Sequence, residues 1–291
     1  MVDLTAHRFL RAASDVLLKP FELLYRGVNR LRRALYRVGA LEAKRLPKPV
    51  ISVGNITVGG AGKTPAVIAI GRFLIERGWH VAVLTRGFGR AGNEEGPVTS
   101  LDASRFGDEP VLIKKHLEKA DVIVGRKRYE NGLRTKCDVY LLDDGFQHLQ
   151  LARDIDVVID VARARWFREG RSALRHADLI IPRKLRLSVP PEIRSKKLFA
   201  FAGLANNDQF FEDLAHLGLD LAGACGFPDH HRYSESDLEA IRAAARDFHA
   251  EAIVTTEKDA VKIAAHDMIP IPAEMVIERE MLEQIEARIR S

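Results

Sequence analysis

Short apolar runs alternate with longer amphipathic stretches through most of the chain. Val50 to Val53 is a β-branched run, and residues 63–77 then repeat apolar positions at intervals of three or four, the spacing of one helix face. Gly78 ends this predicted helix, and residues 80–84 form the next predicted strand. Further apolar runs, separated by segments long enough for crossover helices, lie at residues 122–124, 139–142, 155–161, 179–181 and 198–201. This alternation predicts an α/β fold with a doubly wound, mostly parallel sheet.

A second unit of strands and helices begins after the turn at Pro190 and Pro191. Two further helices are predicted near residues 208–217 and 235–248, and a strand is predicted at residues 253–255. The predicted domains are an N-terminal amphipathic helical segment at residues 1–45, a core at residues 46–195, and a smaller α/β domain at residues 196–291 that closes over the site.

The first segment mixes basic and apolar residues. Charged side chains at Asp15, Lys19, Glu22 and Arg26 keep every apolar stretch shorter than the roughly 18 residues that a spanning helix needs. A basic amphipathic helix, interrupted near Pro20, can lie on an anionic lipid surface with its apolar face in the interface. Its apolar face can also pack on its own domain. Both interpretations stay open from the sequence.

Composition narrows the class of protein. The chain has 291 residues, of which 46% are hydrophobic and 29% are charged, so it can bury a large core. The two cysteines, Cys137 and Cys225, give neither zinc-ligand spacing nor a disulfide framework, which favours a reducing compartment. The start of the chain lacks a secretory signal pattern. The net charge of +5 is modest and no nucleic-acid recognition motif accompanies it, so we expect no nucleic-acid partner.

A glycine-rich segment follows the first predicted strand and leads into the first predicted helix of the core. This context is the one that a phosphate-binding loop, or P-loop, requires. Backbone amides would hold phosphate oxygens, Lys63 would reach the β- and γ-phosphates of ATP, and the Thr64 hydroxyl would bind Mg²⁺. Thr57 stands where the usual pattern has glycine. The predicted nucleotide-binding residues are Thr57, Val58, Gly59, Gly60, Ala61, Gly62, Lys63 and Thr64.

Acidic residues follow another predicted strand. The run at residues 139–142 ends in Asp143 and Asp144. Carboxylates at the carboxyl end of a strand face the ligand crevice of an open α/β sheet, where P-loop proteins hold magnesium. The alternative is an Asp-Gly turn in which Asp144 has only a structural role.

Two further polar segments lie in the core. Arg86 and Arg90 flank a glycine-rich loop that can clamp anionic groups, although a solvated surface loop has the same composition. Asp108 and Glu109 precede a proline at the start of a predicted helix, a pattern that ordinary helix capping also produces.

Two polar clusters lie in the second predicted domain, at residues 227–233 and 255–259. Neighbouring side chains such as those of His230 and His231 point in different directions on a strand or helix, so a shared zinc site is not expected.

Taken together, the polar motifs resemble the tetraacyldisaccharide 4'-kinase family, the lipid A 4'-kinases of Gram-negative bacteria. In order and spacing they cover the chain from about residue 50 to about residue 263, and Thr57 is normal for the family's P-loop. The motifs are Gly54-Asn55-Ile56-Thr57-Val58-Gly59-Gly60-Ala61-Gly62-Lys63-Thr64-Pro65, Arg86-Gly87-Phe88-Gly89-Arg90, Gly107-Asp108-Glu109-Pro110, Asp143-Asp144-Gly145-Phe146-Gln147-His148, Phe227-Pro228-Asp229-His230-His231 and Thr256-Glu257-Lys258-Asp259.

The resemblance implies an ATP-dependent kinase that phosphorylates the 4'-hydroxyl of tetraacyldisaccharide 1-phosphate and forms lipid IVA. It implies ATP and Mg²⁺ as cofactors, a peripheral location on the cytoplasmic face of the inner membrane, and lipid docking by the N-terminal segment. We expect a monomer. The alternative is a P-loop NTPase switch without a lipid acceptor, although residues 256–259 lack the Asn-Lys-x-Asp spacing of a guanine-specific switch.

The resemblance also implies roles for individual residues. Asp108 would be the general base and Arg86 would steady phosphate. A basic partner for Asp108 would come from His230, His231 or Lys258; His231 is taken as the candidate, and the sequence does not decide among the three. The implied catalytic residues are Asp108, Lys63, Arg86 and His231, and the implied metal ligands are Thr64, Glu109, Asp143 and Asp144.

Overall fold

The larger of two main sheets carries the P-loop. The structure is a computed structural model that describes residues 23–57, 59–92, 94–161 and 167–290. Seven strands form the sheet in the order β3-β4-β2-β5-β1-β6-β7, and all neighbours are parallel except the short edge strand β3. These strands are β1 (Val50–Gly54), β2 (Val81–Thr85), β3 (Gly96–Pro97), β4 (Asp121–Val124), β5 (Val139–Asp143), β6 (Ile155–Asp160) and β7 (Leu179–Pro182).

Helices cover both faces of this sheet, because its central strands are apolar on both sides. The principal core lies between one face and the helices α2, α4 and α9, and a second cluster with Tyr140 at its centre fills the other face. The predicted doubly wound, mostly parallel sheet is therefore confirmed. The described helices of this part are α1 (residues 23–37), α2 (Lys63–Glu76), α3 (Ala103–Phe106), α4 (Asp108–His116) and α5 (Arg128–Leu133), with a 3-10 helix at Arg171–His176.

The smaller sheet has four parallel strands in the order β10-β9-β11-β12 and buries apolar clusters on both faces. Strands β8 and β13 form a separate antiparallel ribbon. The remaining strands are β8 (Leu185–Leu187), β9 (Lys197–Ala202), β10 (Asp220–Gly226), β11 (Ala252–Thr256), β12 (Met268–Ile271) and β13 (Ala273–Met275). The remaining helices are α6 (Asn207–His216), α7 (Glu235–Asp247), α8 (Glu257–Ala260) and α9 (Arg279–Arg290), with a 3-10 helix at Pro191–Ile193.

The last helix returns to the larger sheet. Ile285 and Ile289 of α9 are buried in its principal core, and Trp79 Nε1 donates a hydrogen bond of 3.1 Å to Glu286. The predicted domain boundary near residue 195 stays a prediction, and the packing of α9 adds that the end of the chain belongs to the core of the larger sheet.

Helix α1 turns its polar side toward the protein. Asn29 is buried, and its Nδ2 donates to the Arg168 carbonyl at 3.2 Å. Leu24, Val28 and Leu31 follow the i, i+4, i+7 spacing of one helix stripe, yet they are 67%, 47% and 61% exposed. A helix that packs on its own domain normally buries its apolar stripe and exposes its polar side. In residues 23–37, therefore, the apolar stripe is not the packing face.

Residues 1–22 of the predicted N-terminal segment lie outside the described residues. None of the helices in the part of the chain that the structure describes has the length and apolar character to cross a membrane.

Gly54, the last residue of β1, has no room for a side chain. A Cβ atom here would stand 2.5 Å from Phe146 Cβ and 2.8 Å from the Phe146 backbone nitrogen. We expect Gly54→Ala to lower the free energy of unfolding by about 1–3 kcal/mol, the usual cost of overpacking. Gly60→Ala is the control, because a Cβ at Gly60 would meet no atom within 4 Å. Urea unfolding of both variants checks this, and equal losses would contradict it.

Candidate functional site

The candidate site lies at the carboxyl ends of β1, β2 and β5, where an open parallel sheet forms its ligand crevice. The loop after β1 is held by Asn55, whose Nδ2 donates to Thr57 Oγ1 at 2.7 Å and to the Thr57 carbonyl at 2.9 Å. Gly62 adopts φ 79° immediately before α2, so the predicted Lys63 and Thr64 occupy the first turn of that helix. Gly59, Gly60 and Ala61 lie in the same loop, and Val58 lies outside the described residues.

Asp144 is held by two cations beside this loop. Arg168 Nη1 donates to both carboxylate oxygens, at 3.0 and 2.9 Å, and Lys63 Nζ lies 3.4 Å from Oδ1. Burial opposes ionisation, but the charges of Lys63 and Arg168 outweigh it and lower the pKa of Asp144 to about 2. Asp144 has φ 49°, a left-handed conformation that is uncommon outside glycine. The turn is therefore a constrained element that places a charged carboxylate next to Lys63.

Asp143, the last residue of β5, is more deeply buried than Asp144. It is 2% exposed and accepts a hydrogen bond of 2.9 Å from Thr85 Oγ1 at the end of β2. Burial, followed by the negative charges of Glu109 and Asp144, raises the pKa of Asp143 to about 7. The charges of Glu109 and Asp144, the other two predicted acidic metal ligands, therefore act on Asp143.

Asp108 begins α4 and is almost completely buried. His230 Nδ1 lies 3.1 and 3.0 Å from its two carboxylate oxygens, and Lys258 Nζ lies 3.8 Å from Oδ2. Burial opposes ionisation, but the His230 hydrogen bond and the Lys258 and His230 charges lower the pKa of Asp108 below its usual range. His230 has φ 59°, and constrained backbone of this kind clusters at functional sites.

His231 lies apart from Asp108. Its Nε2 is 3.1 Å from Asp237 Oδ2, and its ring stacks on Phe227 with centroids 4.7 Å apart. Of the three predicted alternatives, the structure brings His230 and Lys258 to Asp108, whereas His231 pairs with a carboxylate of α7. His230 therefore takes the place of His231 in our proposal.

Lys258, on α8, links the two sheets at the site. Its Nζ lies 3.4 Å from Glu109 Oε1 and 3.2 Å from Asp229 Oδ1. Burial opposes the charged form, but Glu109, Asp108 and Asp229 raise the pKa of Lys258 above its usual value. The lysine therefore stays charged and balances carboxylates from both parts of the chain.

Arg86 is an exposed residue on the loop after β2. Its positive charge reaches His148, where burial first, and then the charges of Arg128, Arg153, Arg32 and Arg86, lower the pKa to about 4. His148 is therefore neutral at pH 7, and these arginines place positive charge around it.

Several site residues were not found from the sequence. Arg168 and Glu169 follow β6, which borders β1 on the side away from β5. Arg168 contacts Asp144, and Glu169 accepts hydrogen bonds from Gln147 and Arg33. The available signal was the position of these polar residues after the end of a parallel strand, the same signal that identified Asp143.

The Asp108–His230 pair predicts a pH-dependent contribution to stability. The Asp108 hydrogen bond raises the pKa of His230 despite burial, so the contribution is complete below pH 6.5 until Asp108 is protonated in acid, and it is lost as pH rises through the raised value. A double-mutant cycle of Asp108→Asn and His230→Gln should give a coupling of about 1.5–3 kcal/mol at pH 6. Urea unfolding should give a smaller coupling at pH 9, and a coupling that is larger at pH 9 would contradict the pairing.

Comparisons with known proteins identify the family of this chain. A family model described as tetraacyldisaccharide-1-P 4'-kinase, LpxK, matches residues 14–187 and 171–290. The tetraacyldisaccharide 4'-kinase of Pelobacter propionicus is 37% identical over 298 residues, which cover 85% of this chain and 82% of that protein. The enzyme of the same name from Desulfotalea psychrophila is 36% identical over 301 residues, with 84% and 86% covered.

A solved structure is also similar. The crystal structure of LpxK from Aquifex aeolicus in complex with ATP superimposes with a TM-score of 0.74 at 29% sequence identity, and the match covers 94% of this chain and 99% of that one. The sequence and the fold thus agree, and the chain belongs to the tetraacyldisaccharide-1-P 4'-kinase family.

Proposed function

We propose that this protein is an ATP-dependent kinase that phosphorylates the 4'-hydroxyl of tetraacyldisaccharide 1-phosphate, producing lipid IVA and ADP. The family membership supports the substrate, and the Asp108–His230 pair beside a P-loop is the single structural observation that carries the reaction type. A P-loop alone fits any nucleotide hydrolase. A buried, hydrogen-bonded carboxylate across from it fits activation of an acceptor hydroxyl.

ATP binds with its phosphates on the loop at residues 57–64. The backbone amides at the start of α2 face the β- and γ-phosphates, and the helix terminus favours negative charge there. Lys63 exchanges its contact with Asp144 for the phosphate oxygens, since both are anionic partners within reach of one flexible amine. Arg86 contributes positive potential from the loop after β2.

The residues predicted to hold Mg²⁺ fit this ion. Thr64 offers a hydroxyl, and Glu109, Asp143 and Asp144 offer carboxylates, which are the oxygen ligands that Mg²⁺ prefers. Within the described residues, no three His, Cys, Asp or Glu side chains form a cage by themselves. Mg²⁺ usually keeps several waters and binds one or two carboxylates together with substrate phosphates, so these residues need not all bind the ion directly. When bound, Mg²⁺ would neutralise charge on the β- and γ-phosphates.

Asp108 removes the proton from the acceptor hydroxyl. The sugar oxygen forms a bond to the γ-phosphorus while the bond from that phosphorus to the β,γ-bridging oxygen breaks, and ADP leaves. His230 orients the carboxylate, and Lys258 balances the charge of Asp108 and Glu109. The protein contributes positioning and charge stabilisation, which is most of what phosphoryl transfer requires.

The defining experiment is an assay of the full chain with radiolabelled ATP, Mg²⁺ and tetraacyldisaccharide 1-phosphate. We expect label in the glycolipid, one ADP for each phosphate transferred, and no label when the 4'-hydroxyl is blocked. Release of free phosphate without labelled lipid would instead support a nucleotide-hydrolysing switch and overturn the kinase.

Helix α1 supports the proposal that the protein docks on an anionic lipid surface, the cytoplasmic face of the inner membrane, and acts there as a monomer. Its apolar stripe faces outward, and Arg30 and Arg37 are exposed on the same helix. Apolar side chains flanked by arginines match a leaflet whose interior is apolar and whose surface is negative. An acylated acceptor would be reached at that surface.

Replacing the stripe with Leu24→Ser, Val28→Ser and Leu31→Ser together should release most of the protein from vesicles, because burial of those side chains drives docking. Leu217→Ser is the control, since Leu217 is 46% exposed on the smaller unit. Flotation with vesicles containing phosphatidylglycerol measures the bound fraction. Unchanged binding of the triple variant would contradict docking through α1.

A further inference from the structure

We propose that Arg33 and Glu169 form a positioning pair that couples α1 to the nucleotide site, so that docking of α1 on a lipid surface strengthens ATP binding. The inference rests on the proposed docking and ATP sites and adds the link between them. Neither residue touches substrate in this scheme, and each acts through the groups that it holds.

Arg33 and Glu169 form a buried bidentate ion pair, which we call the clamp. Arg33 donates from Nε and Nη2 to the two carboxylate oxygens of Glu169, the second bond being 2.8 Å, and both side chains are less than 10% exposed. Arg33 Nη2 also donates to the Phe146 carbonyl at 2.9 Å, and the guanidinium lies 4.1 Å from the centroid of that ring. A bidentate pair of this kind fixes geometry as well as distance. Helix α1 is therefore held in one rotation about its axis.

Hydrogen bonds connect Glu169 to the P-loop. Gln147 Nε2 donates to Glu169 Oε1 at 3.0 Å and to the Asn55 carbonyl at 2.8 Å. Asn55 in turn holds Thr57 and accepts from Lys63 Nζ at 3.4 Å. The Glu169 amide also donates to the Ile56 carbonyl at 3.2 Å. An unbroken set of hydrogen bonds thus runs from α1 to the loop that receives the phosphates.

A second connection runs through the neighbouring residue. The Arg168 carbonyl accepts from Asn29 of α1, while its guanidinium holds Asp144 through two contacts. Asp144 is also the partner of Lys63. The same short segment therefore contacts α1 on one side, and it sets a carboxylate and a lysine of the nucleotide site on the other.

The geometry of α1 explains why lipid would favour the clamped arrangement. Asn29 and Arg33 lie one turn apart on the polar side, and Leu24, Val28 and Leu31 lie on the opposite side. The rotation that puts Arg33 on Glu169 is therefore the rotation that turns the apolar stripe outward. A lipid surface that binds the stripe selects the clamped state, and a ligand shifts an equilibrium only through such differential affinity.

The test measures ATP affinity of the full chain by equilibrium binding with Mg²⁺ and without acceptor. We expect vesicles of phosphatidylethanolamine and phosphatidylglycerol to lower the Kd for ATP at least about fivefold, the lower end of typical coupling. Because coupling is reciprocal, saturating ATP should tighten vesicle binding by the same factor. This second measurement needs no variant, so it stands even where a substitution impairs folding.

Substitutions test whether the Arg33–Glu169 pair carries the effect of vesicles on ATP affinity. Arg33→Gln and Glu169→Gln should each abolish the vesicle effect on the Kd, and Arg33→Lys should retain part of it because one ionic contact persists. Arg242→Gln is the matched control: it makes the same change at another bidentate arginine–carboxylate pair, with Asp267 in the smaller unit, and should keep the full effect. An unchanged Kd with vesicles in the wild type, or a full effect in Arg33→Gln, overturns the proposal.

Failure of this inference and failure of the proposed function give different results. If the ATP affinity responds to vesicles but no glycolipid is labelled, the coupling is supported and the kinase assignment is contradicted. A protein that phosphorylates the acceptor while its ATP affinity ignores vesicles keeps the kinase assignment and loses the coupling.

Discussion

Asp108→Asn should lower turnover by at least about a hundredfold while leaving the Kd for ATP nearly unchanged, since a positioned general base contributes roughly 10²–10⁴ to the rate. The amide has the shape of the carboxylate but cannot accept the hydroxyl proton. Asp108 contacts His230 and Lys258, and among the residues that the structure describes no hydrogen bond or ion pair joins it to the P-loop, so phosphate binding should persist. Single-turnover phosphorylation and equilibrium ATP binding measure the two effects separately.

The control for Asp108→Asn is Asp247→Asn, which removes the same charge at an exposed position at the end of α7. It should retain full turnover. Full turnover in Asp108→Asn itself would exclude this carboxylate as the base. His230→Ala should give a smaller loss, because the carboxylate remains and only its orientation is relaxed.

Lys63→Met should lower turnover about 10²- to 10³-fold, the scale seen when one preorganised donor to a developing charge is removed. Methionine keeps most of the length of the side chain and removes the charge that, in our proposal, faces the γ-phosphate. The substitution also removes one of the charges that lower the pKa of Asp144. Initial rates at saturating ATP, together with the ATP Kd, separate loss of binding from loss of transition-state stabilisation.

Lys119→Met makes the same chemical change at an exposed position outside the site and should behave as the wild type. A Lys63→Met protein with a weaker ATP Kd but normal turnover at saturation would assign Lys63 to ground-state binding alone. Normal values of both quantities would remove Lys63 from the mechanism.

The larger sheet follows closely from local sequence, because strands buried on both faces require continuous apolar runs. The run at residues 50–53 was observed as Val50–Gly54, and the helix predicted at residues 63–77 was observed as Lys63–Glu76. The docking position of helix α9 did not follow from local sequence. Its residues fill the core of the larger sheet from the far end of the chain, and no local pattern indicates where an amphipathic helix will dock.

The P-loop and the acids after β5 were recognisable for a related reason. A strand ending in glycines or carboxylates places them at the crevice of a parallel sheet, so chain position and site position coincide. No such rule identifies the basic residue that pairs with Asp108. His230 and His231 are neighbours in the chain, and the left-handed backbone at His230 accompanies an arrangement in which that ring meets Asp108 while His231 meets Asp237.

The sequence by itself determined the family, the alternation of strands and helices, the nucleotide loop and the candidate base, because each rests on local spacing or on motifs read in order. Tertiary structure alone decided which basic residues meet Asp108, that Arg168 holds Asp144, and that α1 turns its polar stripe inward. The Arg168–Asp144 and His230–Asp108 contacts, for example, join residues 24 and 122 positions apart along the chain. Such pairs form only when the packing of whole elements fixes their orientation, which spacing along the chain does not encode.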